Sequence, residues 1–528
     1  MQGADKPTLD RRTVLKLSGA AGVTSLGAIA GCLDDPTSDE DGETDEIVIT
    51  QGQFIETPDP NDHITGPYFN IFDQIYEPLF NVTPDLDIES RVVTDWEPTG
   101  DGSTELTIRD DVQFHNGEDL VASDVAFTFQ RMIDDEVGPI SDQAAGLGAI
   151  EGAEAIDETT VRVDYGDAAP SLAEYQFGNY GRVVKEDWVG EQETQEGAII
   201  GDSADAFNGT GPYQVVEYEP GVEIVLEPFD DYWGDEATFN TVTFNEDTES
   251  SGRVSALQAG ETDLVDNVLP DDVSTVDEAD GIEIRNETSL RSIFLVMKNG
   301  VEPFDSQEFR QAMNYAVDNQ GIIESILGGF GEPMTQMHSE GIFGYNPDLD
   351  PYEQDLDEAE SLVEESGYAG AEITLHAPEG RYLNDASVAQ TAADHIDQLE
   401  NVDCEVNLRP FPEISDGASQ PYDDDGIPFF LIGWGVITGD ADYAIDPWIN
   451  PDHPLETFRD EDAFATLEES KAESDSDARE ELLQELNADL RDKAPFVFLH
   501  SQDSIYGVNQ DLDWEPRRDE TIYLWDME

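Results

Sequence analysis

Cysteine is almost absent from this 528-residue chain, which carries only Cys32 and Cys404. Cys32 belongs to a processing signal described below, so no intrachain disulfide framework organises the fold. Basic residues are scarce as well, 24 Lys and Arg against 121 Asp and Glu, for a formal net charge of −97. A phosphate backbone rewards cationic surfaces, which argues against direct nucleic-acid binding. The apolar run from Leu17 to Ile29 is short and rich in Gly and Ala, below the roughly 20 residues of a permanent membrane helix. A Gly-x-x-x-x-Gly-Lys-Ser/Thr phosphate loop, which would cradle a nucleotide's phosphates, is missing. The seven histidines, His63, His115, His338, His376, His395, His453 and His500, are scattered singly, which is poor spacing for a metal site. No cofactor or metal is expected.

What remains is an acidic chain with 38% hydrophobic residues, enough for real cores and long enough for two or three domains. The acids run through the whole sequence instead of forming one tail. In dilute buffer their mutual repulsion opposes a compact state. At about 1 M salt the Debye length shrinks to about 3 Å and most of that repulsion disappears. The composition therefore reads as the surface of a protein adapted to multimolar salt.

The first residues look like an address. Arg11 and Arg12, followed by Leu15-Lys16 and the apolar run, resemble a twin-arginine export signal. Ile29-Ala30-Gly31-Cys32 resembles a lipobox, with Ile29 where Leu is usual. That rule makes residues 1–31 a removable signal and Cys32 a lipidated N-terminus. Asp34 to Glu46 holds eight acids and no base, so residues 32–45 are expected to form an extended acidic tether.

Local patterns then predict a mixed α/β chain. Ile47-Val48-Ile49 and the run Val222–Leu226 read as strands, as does the region of Leu106 and Ile108. Ser123 or Asp124 is expected to cap the next helix. Ser250 to Ala259 reads as a helix closed by Gly260. Asp305 with Glu308 forms a candidate capping box for one helix running to Gly328-Gly329, and Asp355 with Glu358 starts another ending at Gly367. Leu482, Leu483, Leu486 and Leu490 line one helix face before Pro495, after which Phe496–Leu499 is a strand. Cys404 reads as a packing residue at a strand start, and His115-Asn116-Gly117 as a structural turn.

Several segments in order resemble the extracellular solute-binding protein family 5, the peptide, dipeptide and nickel-binding components of ABC importers. They are Tyr76-Glu77-Pro78-Leu79, the stretch Leu106–Val125, Gly209-Thr210-Gly211-Pro212-Tyr213, Asp231-Tyr232-Trp233-Gly234, Leu257–Asp263 and Arg310–Asp318. Phe229 departs from the usual asparagine nearby. The resemblance implies a periplasmic-binding-protein-like class II fold of the α/β class, with two lobes, a hinge and an additional domain. Carried over, the main lobe takes 46–88, 208–295 and 495–528, the additional domain 89–207, and the opposing lobe 296–494. The implied function is reversible capture of a small solute, a di- or oligopeptide, for a membrane permease and ATPase. The protein would be a non-enzymatic monomer anchored by lipid at the outer face of the cytoplasmic membrane. A sensing lipoprotein and a hydrolase remain alternatives, as do nickel and sugar solutes.

The resemblance also nominates ligand contacts. In peptide-binding members an acid in the Trp-to-Asp-Pro loop, here Trp434 to Pro447, pairs with the peptide ammonium. Asp442 is the first assignment and Asp440 the second, because Asp446-Pro447 lies one residue later than usual. A carboxylate suits an ammonium by charge and acceptor geometry. Trp434 is expected as an apolar wall with one directional N–H, and Tyr76 as a contact from the main lobe.

Overall fold

The computed structural model describes residues 46–527 except 56, 63–65, 85–87, 101, 135–137, 139–146, 148–149, 167–179, 196 and 437. Arg11, Arg12, Cys32 and the tether 32–45 lie outside the described residues, as does His63.

Two long antiparallel strands, Ile282–Met297 and Phe496–Asn509, form the spine of the molecule. On one side their far ends join the strands Leu264–Val265, Glu46–Gln51, Thr241–Glu246, Glu223–Pro228 and Tyr213–Glu219. On the other side Ile282–Met297 pairs with Phe429–Gly435, followed by Ala371–Pro378 and Val402–Arg409. The two lobes thus hang on one continuous sheet. The ladder between the spine strands is broken between Thr288 and Ser292, and pairing with Phe429–Gly435 begins at Arg291. The passage from lobe to lobe therefore lies at about 288–292 and 501–503, inside the strands.

Alternation explains why these strands are buried on both faces. Ile293, Leu295 and Met297 enter one core with Phe429, Leu431, Val497 and Leu499, while Phe294 and Val296 enter another with Phe430, Ile432, Phe496 and Phe498. With a side-chain period of two, each strand feeds both layers, and helices cover both. The main lobe has its own core around Ile47, Ile49, Phe72, Tyr76 and Phe244. The additional domain is a four-stranded sheet, Val93–Pro98, Ser103–Ile108, Thr160–Asp164 and Gly152–Ala155, carrying the helix Ala122–Ile133.

Several local expectations change in detail. The helix Ala122–Ile133 starts after Val121, whose amide donates to the Asp124 carboxylate at 3.1 Å. Asp124 thus serves the helix start from inside the first turn. Ser306, not Asp305, caps Gln307–Ala316, accepting from the Phe309 amide. That helix stops at Val317, and a second, Asn319–Ser325, restarts under Asp318. Asp355 and Gly367 bound Leu356–Ser366 as expected, with Gly367 at φ +83°. Gly260 likewise closes Ser250–Ala259 at φ +69°, a left-handed turn that favours glycine. Cys404 is buried in Val402–Arg409, where burial pushes its thiol up to about 12. His115 joins the turn to the main lobe: its Nε2 lies 3.1 Å from the Gly211 carbonyl, and its Nδ1 accepts from the Gly209 amide. Burial lowers its pKa to about 4.

Candidate functional site

A cleft of about 750 Å³ opens between the lobes. Phe54, Ile55 and Tyr68 line it from the main lobe, and Glu379, Arg381 and Phe411 from the opposing lobe. Arg381 follows the strand Ala371–Pro378 in a tight turn held by Asp385, whose carboxylate accepts the amides of Gly380, Arg381 and Tyr382. The turn aims the guanidinium between the rings of Phe411 and Tyr382, about 5 Å from each centroid. Burial lowers the Arg381 pKa, with Arg291 adding like-charge repulsion.

Arg381 stands apart from every other described cation. The head groups of the other described lysines and arginines reach a carboxylate, a carbonyl or a hydroxyl, as in Arg291 with Glu520 at 2.6 Å or Lys298 with the Gly417 carbonyl at 2.8 Å. The Arg381 guanidinium has no hydrogen bond or ion pair to a described residue. In a chain with about five times as many acids as bases, a partly desolvated arginine without a hydrogen bond or ion pair among the described residues, though within the field of Glu520, can accept an anion. Sequence reasoning missed it, since one Arg in a Gly-Arg-Tyr turn carries no signal of its own.

The Trp434–Pro447 segment is arranged differently from expectation. Asp440 is 1% exposed and caps the helix Ala441–Ile449 by accepting from the Asp442 amide at 2.9 Å. Both its oxygens also receive Arg479, at 2.6 and 2.9 Å. Three of its acceptor positions are thus used inside the lobe. Asp442, 5% exposed, has as its strongest charged neighbours Lys471, on the helix Glu461–Ala472, and Asp446, on its own helix, themselves an ion pair. Its Oδ1 is buried without a hydrogen bond. Burial above all pushes the Asp442 carboxyl up to about 7; Lys471 opposes that rise and Asp446 adds to it.

Trp434 is half-buried on the strand Phe429–Gly435. Its ring lies 5.6 Å from Tyr443 and 5.5 Å from Trp448, and its indole N–H donates to the Tyr443 carbonyl at 3.2 Å. The directional contact is thus internal, and Trp434 is not among the residues lining the cleft. Tyr443, overlooked in the sequence, meets Tyr180 of the additional domain hydroxyl to hydroxyl at 3.2 Å. Tyr76 is fully buried in the main-lobe core, where its hydroxyl accepts from the Asn208 amide at 3.4 Å. It anchors the chain's return into the lobe and is not exposed to the cleft. Among the described residues no group of three or more His, Cys, Asp or Glu is placed to hold a metal, and no helix is long and apolar enough to cross a membrane.

Comparison with known proteins settles the lineage. Residues 87–454 match the family model of bacterial extracellular solute-binding proteins, family 5 Middle. The chain belongs to that family. The Dipeptide-binding protein of Escherichia coli is 26% identical over 56% of this chain and 59% of its own length. Heme-binding protein A of Haemophilus influenzae is 24% identical over 53% and 54%. These matches thus span under two thirds of either relative. The periplasmic binding protein DppA of Helicobacter pylori, solved with the peptide STSA, superposes with a TM-score of 0.79 at 21% identity, covering 91% of this family-5 chain and 97% of its own. That likeness establishes the two-lobed fold.

Proposed function

We propose that this chain is the extracellular solute-binding component of an ABC importer, capturing a peptide-sized solute and presenting it to a membrane permease and ATPase. The observation that carries the reading is the interlobe cleft of about 750 Å³, lined from both lobes of a family-5 fold. A cavity of this size suits a small ligand and not a macromolecule. Lobes joined by two strands can close on it, so solute binding shifts a population toward the closed form. Peptides are the leading class because the Escherichia coli relative is named for dipeptides and the Helicobacter pylori structure holds one. Arg381 then takes the carboxylate end. The chain acts by binding and not by catalysis. Arg11 and Arg12 export it folded, and Cys32 anchors it by lipid outside the cytoplasmic membrane of a cell living in concentrated salt.

Mass spectrometry of material released from gently purified, salt-stabilised protein tests this reading. Peptides or other carboxylates recovered in stoichiometric amounts support it. Recovery of hydrolysed products of an added peptide would point to an enzyme instead.

A further inference from the structure

Two strands carry the chain from lobe to lobe, and a third segment crosses the same place without being one of them. Resting on the solute-binding function proposed above, we infer that the turn Arg517–Glu520 is a strap across the interlobe passage. It holds the lobes in their present arrangement and so sets how long a solute stays bound.

The segment that follows the strand Phe496–Asn509 belongs by its packing to the main lobe. Trp514, Ile522, Leu524 and Met527 are buried in that lobe's core. Beyond the turn, the Ile522 amide donates to Asn70 at 2.9 Å, and the Gln74 amide group donates to the Ile522 carbonyl at 2.9 Å. At its start, Arg517 donates to the Val82 carbonyl at 2.6 Å. Both ends of the turn are thus fastened to one lobe.

Its middle is fastened to the other. The Arg518 guanidinium donates to the Glu340 carbonyl at 2.6 Å and to the Ser339 hydroxyl at 3.4 Å. Gly341 makes room for it, since a Cβ there would lie 2.5 Å from Arg518 Nη1. Two residues on, the Phe343 amide donates to the Gly439 carbonyl, and the Phe343 carbonyl accepts from the Ala441 amide. The hold of Arg518 therefore reaches the helix Ala441–Ile449.

The passage itself is also bound to the strap. In the gap of the spine ladder, the Leu290 amide donates to the Arg518 carbonyl at 2.9 Å. Glu520 accepts from Arg291 Nη2 at 2.6 Å and from the Ser504 hydroxyl at 3.3 Å, one residue from each spine strand. Glu520 sits at φ +64°, in the left-handed region that residues other than glycine rarely enter. Such a conformation persists where its surroundings over-determine it. Bending at 288–292 would carry Ser339 and Glu340 away from Arg518. No strap residue lines the cleft, so the strap acts on the population of lobe arrangements and not by touching solute.

Double electron–electron resonance between spin labels at Val222→Cys and Leu408→Cys tests the inference at fixed high salt. Both positions are exposed; one adjoins the cleft residue Gly221 and the other lies three residues before Phe411, on facing lobes. A Cys32→Ser background and the burial of Cys404 confine the labels to those sites. Arg518→Met removes the contact from one side, and Gly341→Ala obstructs it from the other. In solute-free protein each should broaden the interlobe distances and shift them to longer separations. Each should also speed release of every bound peptide by one common factor, about three- to tenfold. Circular dichroism confirms the fold of each variant. Unchanged distances in the folded variants, or release altered for some peptides and not others, overturn the inference. If the distances shift but no peptide binds the parent, the strap stands and the peptide reading falls.

Discussion

At the scale of single residues, Asp440 and Asp442 show how little proximity in sequence says about role. Two positions apart, one is a helix cap doubly bonded to an arginine, the other a carboxylate with an oxygen left over. Asp440→Ala should destabilise the protein by about 3–5 kcal/mol, the cost of stranding a buried partner charge, measured by chemical denaturation at constant salt. Asp442 gives a pH signature. Its folded pKa is raised, from 3.8 to about 7, so the native state holds the proton more tightly than the unfolded chain. Its contribution is fully present below about pH 4 and is lost as pH rises through about 7. Asp442→Asn should therefore lose less stability than the parent over that window, as read by melting temperature against pH. An identical slope in both proteins would show that Asp442 titrates normally.

At the scale of elements, function depends on two strands that change lobes along their length. The break between Thr288 and Ser292 is where the ladder has least to lose by bending. Ser289 stays tied there, its hydroxyl donating to the Gln502 carbonyl at 2.8 Å. The Tyr180–Tyr443 hydroxyl pair links the additional domain to the helix that begins after Asp440. A neutral hydrogen bond of this kind contributes about 0.5–1.5 kcal/mol. Tyr443→Phe, which keeps the ring against Trp434, should weaken solute affinity by up to about tenfold, chiefly through faster release. Stopped-flow dissociation checks this, and an unchanged release rate would mean the pair plays no part in closure.

At the scale of the whole molecule, the acidic surface and the ordered interior are separate designs. Several buried cations pair with buried acids, Arg131 with Asp59, Arg182 with Asp73 and Arg479 with Asp440, while Lys298 rests on backbone carbonyls. The excess acid is outside, where salt screens it. Gradual salt removal should produce a cooperative loss of circular dichroism, with solute or added salt restoring it. Equal stability in dilute buffer and in multimolar salt would contradict the reading of the composition.

The amino-acid sequence by itself determined much of this protein. Apolar runs such as Phe496–Leu499, caps such as Asp355, and turn glycines such as Gly367 are local signals, readable wherever the chain's own pattern decides the outcome. The ordered motifs carried the family. The candidate site was less legible. The surroundings of Asp440 were hidden in the sequence, because the arginine that pairs with it, Arg479, lies about forty residues downstream on another helix. Tyr76, directly after the helix Gly66–Ile75, is buried in the core instead of lining the cleft, because a tyrosine at a helix end looks the same in sequence whether it faces solvent or the core. Only the tertiary structure could single out Arg381, since a guanidinium becomes a receptor by what its neighbours fail to provide, and neighbours across a cleft are not written in the order of residues.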